Sequence, residues 1–409
     1  MTKFIPTRDA ALARLAAIDP AAYATTRNDL NGAVTRLSPY LSHGLLSLRE
    51  AYTAVHARHP LEPQHKLVFE LGWRAYYRHV WAHRGDGILQ SLHAGPLPED
   101  AYSRAMPADV LEARTGIPVI DMGVRCLYAT GYLHNHARMW LASYLVHLRK
   151  VHWRAGADWM LAHLLDGDVA SNSLSWQWVA GTGSVKPYVF NAGNVAKYAP
   201  EPWHSFGTVL DTSYEALNAM ACAPDAFAPE RGADAGAAAG APPLHNNLHT
   251  SPLTCDPTTA QAWQGPEAAD AETLRERDVW LHHPWALAAE PAIAPAGAVH
   301  VGAGFADCHA AFPWSAQRWQ FVTQGLQATT AQRWWGSPEA MAHALRFARS
   351  VQWHPDPHAD AALAQLGQCL RQTAPAIAHG AQEIPALFAA VEPLCPSFAG
   401  WWKRTHLLA

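Results

Sequence analysis

The chain has 409 residues, a net charge of −4, and 49% hydrophobic against 16% charged residues. That balance excludes general disorder and fits about two or three domains. No stretch approaches about eighteen consecutive apolar residues, and residues 1–6 lack the apolar run of an export signal, so no transmembrane helix or secretion is expected. The six cysteines form no CxxC pair, which argues against zinc ribbons, iron–sulfur clusters and a disulfide framework, and for a cytoplasmic protein with reduced thiols. Residues 1–200 carry 20 Lys+Arg against 15 Asp+Glu, and residues 201–409 carry 10 against 19. The first half is therefore the one suited to an anionic partner.

From about residue 8 to 198, apolar residues recur at three- and four-residue spacing and β-branched runs are scarce, the pattern of helices. Ser47 reads as an N-cap with Glu50 in the capping-box position. The stretch 61–83 predicts an amphipathic helix with a wide aromatic face, Phe69, Trp73, Tyr76, Tyr77 and Trp81. Gly116-Ile117-Pro118 opens another helix, with Asp121 in its first turn. From 134 to 153 neither Pro nor Gly intervenes, and one unbroken helix is predicted. At about 221 the sequence turns rich in Ala, Pro and Gly, as a connector does. Beyond it, candidate strands at 279–282, 299–302, 332–335 and 351–354 alternate with helices at 315–326, 338–348 and 360–371, which predicts a small parallel sheet with helices on its faces. The expected division is 1–220 helical, 221–275 connector and 276–409 α/β; the fold class is mostly α with a small α/β domain following.

Three stretches carry chemistry. In LDGDVASNSLSWQWVAGTGSVKPY, Asp166 and Asp168 flank Gly167, which allows close backbone approach; Asn172, Trp176 and Trp178 follow. An Asp-x-Asp pair alone is commonly a cap or a metal ligand set. Beside an amide and two indoles it suits a polar aromatic ring with ribose hydroxyls. In GYLHNHARMWLASYLVHLRKVHW, Asn135 and Arg138 share a helix face at i, i+3, and Trp153 ends the stretch. A zinc site at His134 and His136 is not expected, because no further ligands appear at fitting spacing and HExxH is absent. Near the start, Tyr23 and Arg27 precede AVTRLSPYLSHG, where Thr35, Arg36, Leu37 and Ser38 lead into a Pro-started helix. Hydroxyls and free N–H groups there suit a pyrophosphate, though alone they read as an ordinary cap. No GxGxxG follows a strand here, so a dinucleotide would not be held in Rossmann fashion.

The segments TRLSPYLSHG, ELGWRAYYRH, GIPVIDMGVRCLYATGYLHNHARMW and LDGDVASNSLSWQWVAGTG, in that order, resemble the helical FAD-binding domain of the photolyase/cryptochrome family over roughly residues 23–198. The resemblance implies FAD folded into a U. Tyr23, Thr35, Arg36, Leu37 and Ser38 would hold its phosphates and ribose, and Asn135, Arg138, Asp166, Gly167 and Asp168 would contact flavin and ribose. Asn172 would face the flavin nitrogen that gains a proton on reduction; repairing members usually carry Asn there and plant cryptochromes Asp. Trp176 and Trp153 match two members of the tryptophan chain that photoreduces the flavin. Glu70, Trp73, Met139 and Trp178 match the pocket for a flipped pyrimidine dimer. Arg27, Arg74, Arg78, Arg149 and Lys150 are the candidate contacts to DNA phosphates. A desolvated Glu70 would have a raised pKa and could donate a hydrogen bond to a thymine carbonyl as an electron arrives. The implied activity is a light-driven DNA lyase, and the alternative a cryptochrome-like photoreceptor that binds FAD without repair.

Some positions depart from the family pattern. Leu148 stands where an Asp usually pairs with the arginine at 138, Val34 where many members have Thr, and Tyr102 lies about where the outermost tryptophan belongs. The family normally has an antenna domain before the FAD domain. Here PWSAQRWQFVTQGLQATTAQRWWGSPEAMAHAL resembles an antenna segment, so the second domain reads either as antenna-like or as an unrelated interaction domain.

Overall fold

The computed structural model describes residues 4–225, 227, 257, 262–267, 269–288 and 294–408; most of the expected connector lies outside the described residues. The chain begins with α1 (Arg8–Ala16) and α2 (Pro20–Thr26), capped by the side chains of Thr7 and Asp19. α3 (Ser38–Ser42) carries Pro39 in its first turn and has no side-chain cap. α4 (Leu48–His56) starts on Ser47, whose hydroxyl accepts from the Glu50 N–H at 3.1 Å. Glu50 itself forgoes the reciprocal cap and pairs with Arg8. α5 (Lys66–Arg84) starts five residues later than its pattern suggests, because His65 is the cap: its Nδ1 accepts from the Leu67 N–H.

After the short α6 (Ala108–Leu111), α7 (Pro118–Thr130) opens on a clasp in which the Asp121 carboxylate accepts from the Thr115 N–H, the Thr115 hydroxyl and the Gly116 N–H. The single helix expected over 134–153 is broken. α8 (Asn135–Ser143) passes into a π-type turn over Tyr144–Leu148, and the chain leaves helical geometry before α9 (Trp153–His163). The cause is tertiary. Lys150 adopts a left-handed backbone (φ 50°) and its buried ammonium donates to the carbonyls of His147, Met220 and Ala221 at 2.7, 2.7 and 3.2 Å. A buried cation needs those acceptors more than the helix needs continuity. α10 (Val169–Ala180) starts on the Asp168 side chain and ends at Gly181 in the left-handed region (φ 79°); α11 (Ala192–Tyr198) and α12 (Tyr214–Cys222) complete the helical part.

The second part is α/β. After α13 (Asp270–Thr273) come β1 (Asp278–His282), β2 (Val299–Phe305), α14 (Ala306–Ala310), α15 (Ala316–Gln327), β3 (Gln332–Gly336), α16 (Pro338–Leu345), β4 (Ser350–Trp353), α17 (Asp360–Thr373), β5 (Ala378–Ala381) and α18 (Phe398–Trp402). The strands form one parallel sheet in the order β3-β2-β1-β4-β5, with Leu281 opposite Val301 on one side and Trp353 on the other. β5 was not expected, since AHGA offers neither alternation nor β-branched residues. Residues 262–264, inside the stretch the composition marks as connector, lie against the sheet: Trp263 is buried, and Gln264 bridges to Trp334 at the outer edge. Because β1 sits between β2 and β4, the sheet's topological switch point falls at the carboxyl ends of β1 and β4. His283-Pro284-Trp285 and the run His354 to His358 lead out of it. No helix among the described residues is long and apolar enough to cross a membrane.

The two parts share a hydrophobic core in which Leu15, Tyr40 and Val68 join Val279, Val301 and Leu345; a second core, around Trp140, Leu145 and Val179, belongs to the helical part. His43 spans the junction, with its ring nitrogens 2.7 Å from the Leu165 carbonyl and 2.5 Å from that of Pro284. α18 lies on α5, where Phe398 stacks on Trp73 at 4.1 Å. In the second core Gly156 of α9 is covered by the Trp176 indole, which a β-carbon would meet at 2.4 Å. Gly156→Ala is therefore expected to destabilise by about 1–3 kcal/mol through overpacking, measured as a lower urea midpoint at unchanged slope. An unchanged midpoint would mean that the indole yields freely.

Candidate cofactor site

On α5, Glu70, Arg74, Tyr77, Arg78 and Trp81 recur at three- and four-residue spacing and so share one face. That face meets α10 and the 166–168 loop. Arg138 Nη2 lies 2.7 Å from Asp166 Oδ2, and Arg78 Nη2 2.5 Å from Asp168 Oδ2. Arg74 lies 3.7 Å from the same Asp168 oxygen and donates to Ser42 Oγ at 3.1 Å. The other Asp168 oxygen accepts from the Ser171 N–H at 2.8 Å, capping α10. Both aspartates are buried.

Arg74, Arg78 and Arg138 are surrounded by protein, yet their side chains keep 16, 22 and 26% of their surface accessible. That accessible surface is where a ligand could reach the three cations. Asp166 Oδ1 is buried with no hydrogen-bond partner, and a buried acceptor of this kind is rarely left empty-handed. Cationic walls beside an unsatisfied carboxylate oxygen suit a ligand with both phosphates and hydroxyl or N–H donors. FAD fits that description.

The electrostatics follow from burial set against pairing. Burial alone would raise the Asp168 carboxyl; Arg78 and then Arg74 outweigh it and hold the group far below the carboxylate range. Glu70, at the mouth, keeps 49% of its side-chain surface, but the protein around it raises its pKa against the pull of Arg27, 3.9 Å away, and Lys66. Burial pushes the Tyr77 phenol to about 12, its hydroxyl 3.4 Å from Ser175 Oγ.

The remaining expected residues sit as follows. Tyr23 is buried on α2. In the 35–38 loop, Thr35 Oγ1 accepts from the Leu37 N–H, Ser38 opens α3, and Arg36 adopts a left-handed backbone (φ 51°), strain that loops tend to carry where function demands it. Asn135 is exposed, with its amide nitrogen 3.5 Å from Met139 Sδ. Asn172 donates to the Ala157 carbonyl at 2.9 Å. Trp176 and Trp153 are buried; the Trp153 indole donates to Ser91 Oγ at 3.0 Å, and Ser91 to Glu99 at 2.6 Å. Trp153 and Tyr102 line one cavity of about 290 Å³. Trp178 is 41% exposed and lies against Tyr188.

Several expectations need correction. Gly167 does provide close approach, but to Arg318 of the α/β part: a β-carbon would lie 2.4 Å from that guanidinium and 2.8 Å from the Leu161 carbonyl. Arg74 and Arg78 face inward to Asp168, not outward to a phosphate backbone. Arg149 is held by Asp109 at 2.7 and 2.9 Å and is 11% exposed, and Lys150 is buried, so neither is a surface cation. Asp356 and His358, which reach this site from the α/β part, were missed. They lie far away in sequence, and no periodicity connects them to Arg78.

His134, His147 and His163 are each lowered to about 4 by burial. A group whose folded pKa lies below its unfolded value gives stability that is present above the unfolded pKa and lost as pH falls through the folded one. Urea midpoints are therefore expected to fall as pH drops from about 6.5 toward 4 through the histidines, and again below about 4 through Asp168 and Asp356. A midpoint constant from pH 7 to 4.5 would contradict the buried, neutral histidines.

Residues 67–201 match the FAD binding domain of DNA photolyase. The chain is 38% identical over 167 residues to the deoxyribodipyrimidine photo-lyase of Streptomyces griseus, covering 40% of this chain and 35% of that one. It is 34% identical over 171 residues to the cryptochrome DASH of Gloeobacter violaceus, covering 40% and 34%. Among solved structures, the cryptochrome of Synechocystis matches at 30% identity and a TM-score of 0.43, covering 47% of this chain and 43% of that one. The chain thus spans about a third of the length of the curated relatives it matches.

Proposed function

We propose that this chain, whose residues 67–201 match the FAD binding domain of DNA photolyase, is a light-driven DNA lyase acting on pyrimidine dimers with FAD held at the arginine–aspartate cluster. The observation that carries this reading is the cluster of Arg138 with Asp166 and of Arg74 and Arg78 with Asp168, whose arginine side chains keep accessible surface and in which Asp166 Oδ1 lacks a hydrogen-bond partner. Tyr23, Thr35, Arg36, Leu37 and Ser38 would hold the phosphates and ribose. Asn135, Arg138, Asp166, Gly167, Asp168 and Asn172 would hold the flavin and its ribose. FAD bound there supplies a light-activated electron. Around it the side chains set the conditions: Arg138 and Arg74 favour negative charge, and Trp176 and Trp153 offer oxidisable indoles shielded from water. Glu70 retains a proton more readily than an ordinary carboxyl and can donate it in a hydrogen bond to a pyrimidine carbonyl. Met139 and Trp178 would bound the lesion. Phe398 covers one face of Trp73, so a flipped base would meet that ring's other face or edge.

DNA contact falls to fewer cations than composition suggests. With Arg74, Arg78, Arg149 and Lys150 engaged inside the protein, Arg27 and Lys66 remain beside Glu70. Two phosphate contacts imply a log–log salt dependence with a slope of about −2.

The test is purification, flavin quantitation, and illumination with a dimer-containing oligonucleotide. One FAD per chain and loss of dimers in light are the expected results, with Trp73→Ala weakening discrimination for the lesion while keeping the salt slope. A chain that takes up no FAD overturns the reading. A chain that binds FAD, repairs nothing and binds damaged and intact DNA alike is the photoreceptor instead.

A further inference from the structure

In open parallel sheets the crevice at the topological switch point is where ligands bind. Here the helical part's own Arg78 and Trp81 enter it. His358 stacks on Trp285 from the end of β1 (4.9 Å, 3°) and meets Trp81 edge-on at 4.8 Å. Asp356 Oδ2 accepts from Arg78 Nη1 at 3.2 Å, while Arg78 Nη2 holds Asp168. Asp356 Oδ1 accepts from His358 Nδ1 at 2.6 Å and from the His358 N–H at 3.0 Å. His358 Nε2 in turn accepts from the N–H of Val169, the first residue of α10, at 3.1 Å. That last bond fixes the tautomer: Nε2 is bare and Nδ1 carries the proton toward Asp356. The Asp356 N–H donates to Asp360 Oδ1 at 2.9 Å, which anchors the loop to α17.

From this closed circuit we infer that Asp356 and His358 of the α/β part are positioning residues for the cofactor site, gripping Arg78 and the amino end of α10 so that Asp168 and Asn172 are held in place. Every link around Asp168 except its own helix cap then depends on side chains aligned from outside α10. Arg78 lies between two carboxylates, and removing Asp356 leaves it free to turn wholly onto Asp168. Removing His358 frees the Val169 N–H. Either change displaces Asp168 relative to Arg138 and Asp166, which are held separately. The inference rests on the proposed FAD reading for its functional meaning, but its structural content stands without flavin.

The test compares Asp356→Asn, Asp356→Glu and His358→Gln with the wild type, the last in case Asp356→Asn does not fold. In the flavin-free chain, amide hydrogen exchange at residues 169–172 is expected to rise about tenfold or more in Asp356→Asn and His358→Gln, confined to the start of α10. In the flavin-reconstituted protein, Asp356→Asn is expected to weaken FAD binding about tenfold, the size of a lost hydrogen bond to a charged group. Asp356→Glu should restore part of that loss. Combined with Asp168→Asn, Asp356→Asn should have little further effect, because it acts through Asp168. A general structural lesion would instead give additive losses, and that result overturns the inference. So do unchanged exchange at 169–172 and unchanged FAD affinity in Asp356→Asn. If the wild type binds no FAD, the functional reading fails, and the exchange data alone decide whether the clamp exists.

Discussion

The charge row Asp168–Arg78–Asp356, buried at Asp168 and partly buried at Arg78 and Asp356, is the constraint on which the arrangement of this molecule depends. Taking an arginine and two carboxylates out of water carries a large desolvation penalty, which only close mutual pairing and satisfied remaining oxygens can offset. All of those conditions are met locally. Asp168 is completed by the α10 cap and Asp356 by His358, and Arg74 adds a second cation beside the Asp168 oxygen that Arg78 holds. Such a row adds little net stability over a well-packed apolar one, but a half-formed version is severely unfavourable. The two parts of the chain can therefore meet in one register and not in a slid version of it.

Other polar groups at the junction obey the same logic. Arg318, lowered to about 9 by burial, donates to the carbonyls of Leu161 and Gly167 at 2.8 and 2.6 Å and lies over the Trp314 ring at 3.9 Å. Ser42 Oγ donates to the Asp166 carbonyl at 2.9 Å. The 166–168 loop is thus seized by backbone as well as by side chain, from both parts, and its carboxylates have little freedom left. A ligand binding there meets a site that is already organised, which limits the ordering it must impose on the protein.

Much of this was legible in the sequence, for reasons that can be named. Helix caps such as Ser47 act over a few residues, and the strands β1 to β4 announce themselves as short apolar runs between polar breaks. The aspartates, Arg138 and Asn172 stood out because unusual residue types sat close together. Interactions between distant segments were not legible. Nothing in LVHLRKVHW marks a break; the carbonyls of Met220 and Ala221, some seventy residues away, create it. Arg149 reads as a surface cation until Asp109 folds onto it. Gly167 reads as a concession to a ligand, whereas its bare α-carbon makes room for Arg318. Asp356 lies in an ordinary-looking HPDPH turn whose meaning appears only when α5 is laid against the sheet. In each case a buried charge found its partner through tertiary packing, and local pattern carries no trace of that choice.

The charge balance around Arg138 turns on position 148. Leu148 is buried in the helical core, where the family resemblance would place an acid opposite the arginine at 138. Arg138 consequently has Asp166 as its ion-pair partner, and its Nε donates to the Leu133 carbonyl at 2.9 Å. Asp168 is shared between Arg74 and Arg78, and Asp356 takes the other nitrogen of Arg78. Three arginines thus meet three aspartates, a balanced set in which each arginine side chain still keeps part of its surface accessible. With Leu148 where an acid would compete for it, Arg138 keeps Asp166 as its ion-pair partner and leaves part of its side chain within reach of an anionic ligand.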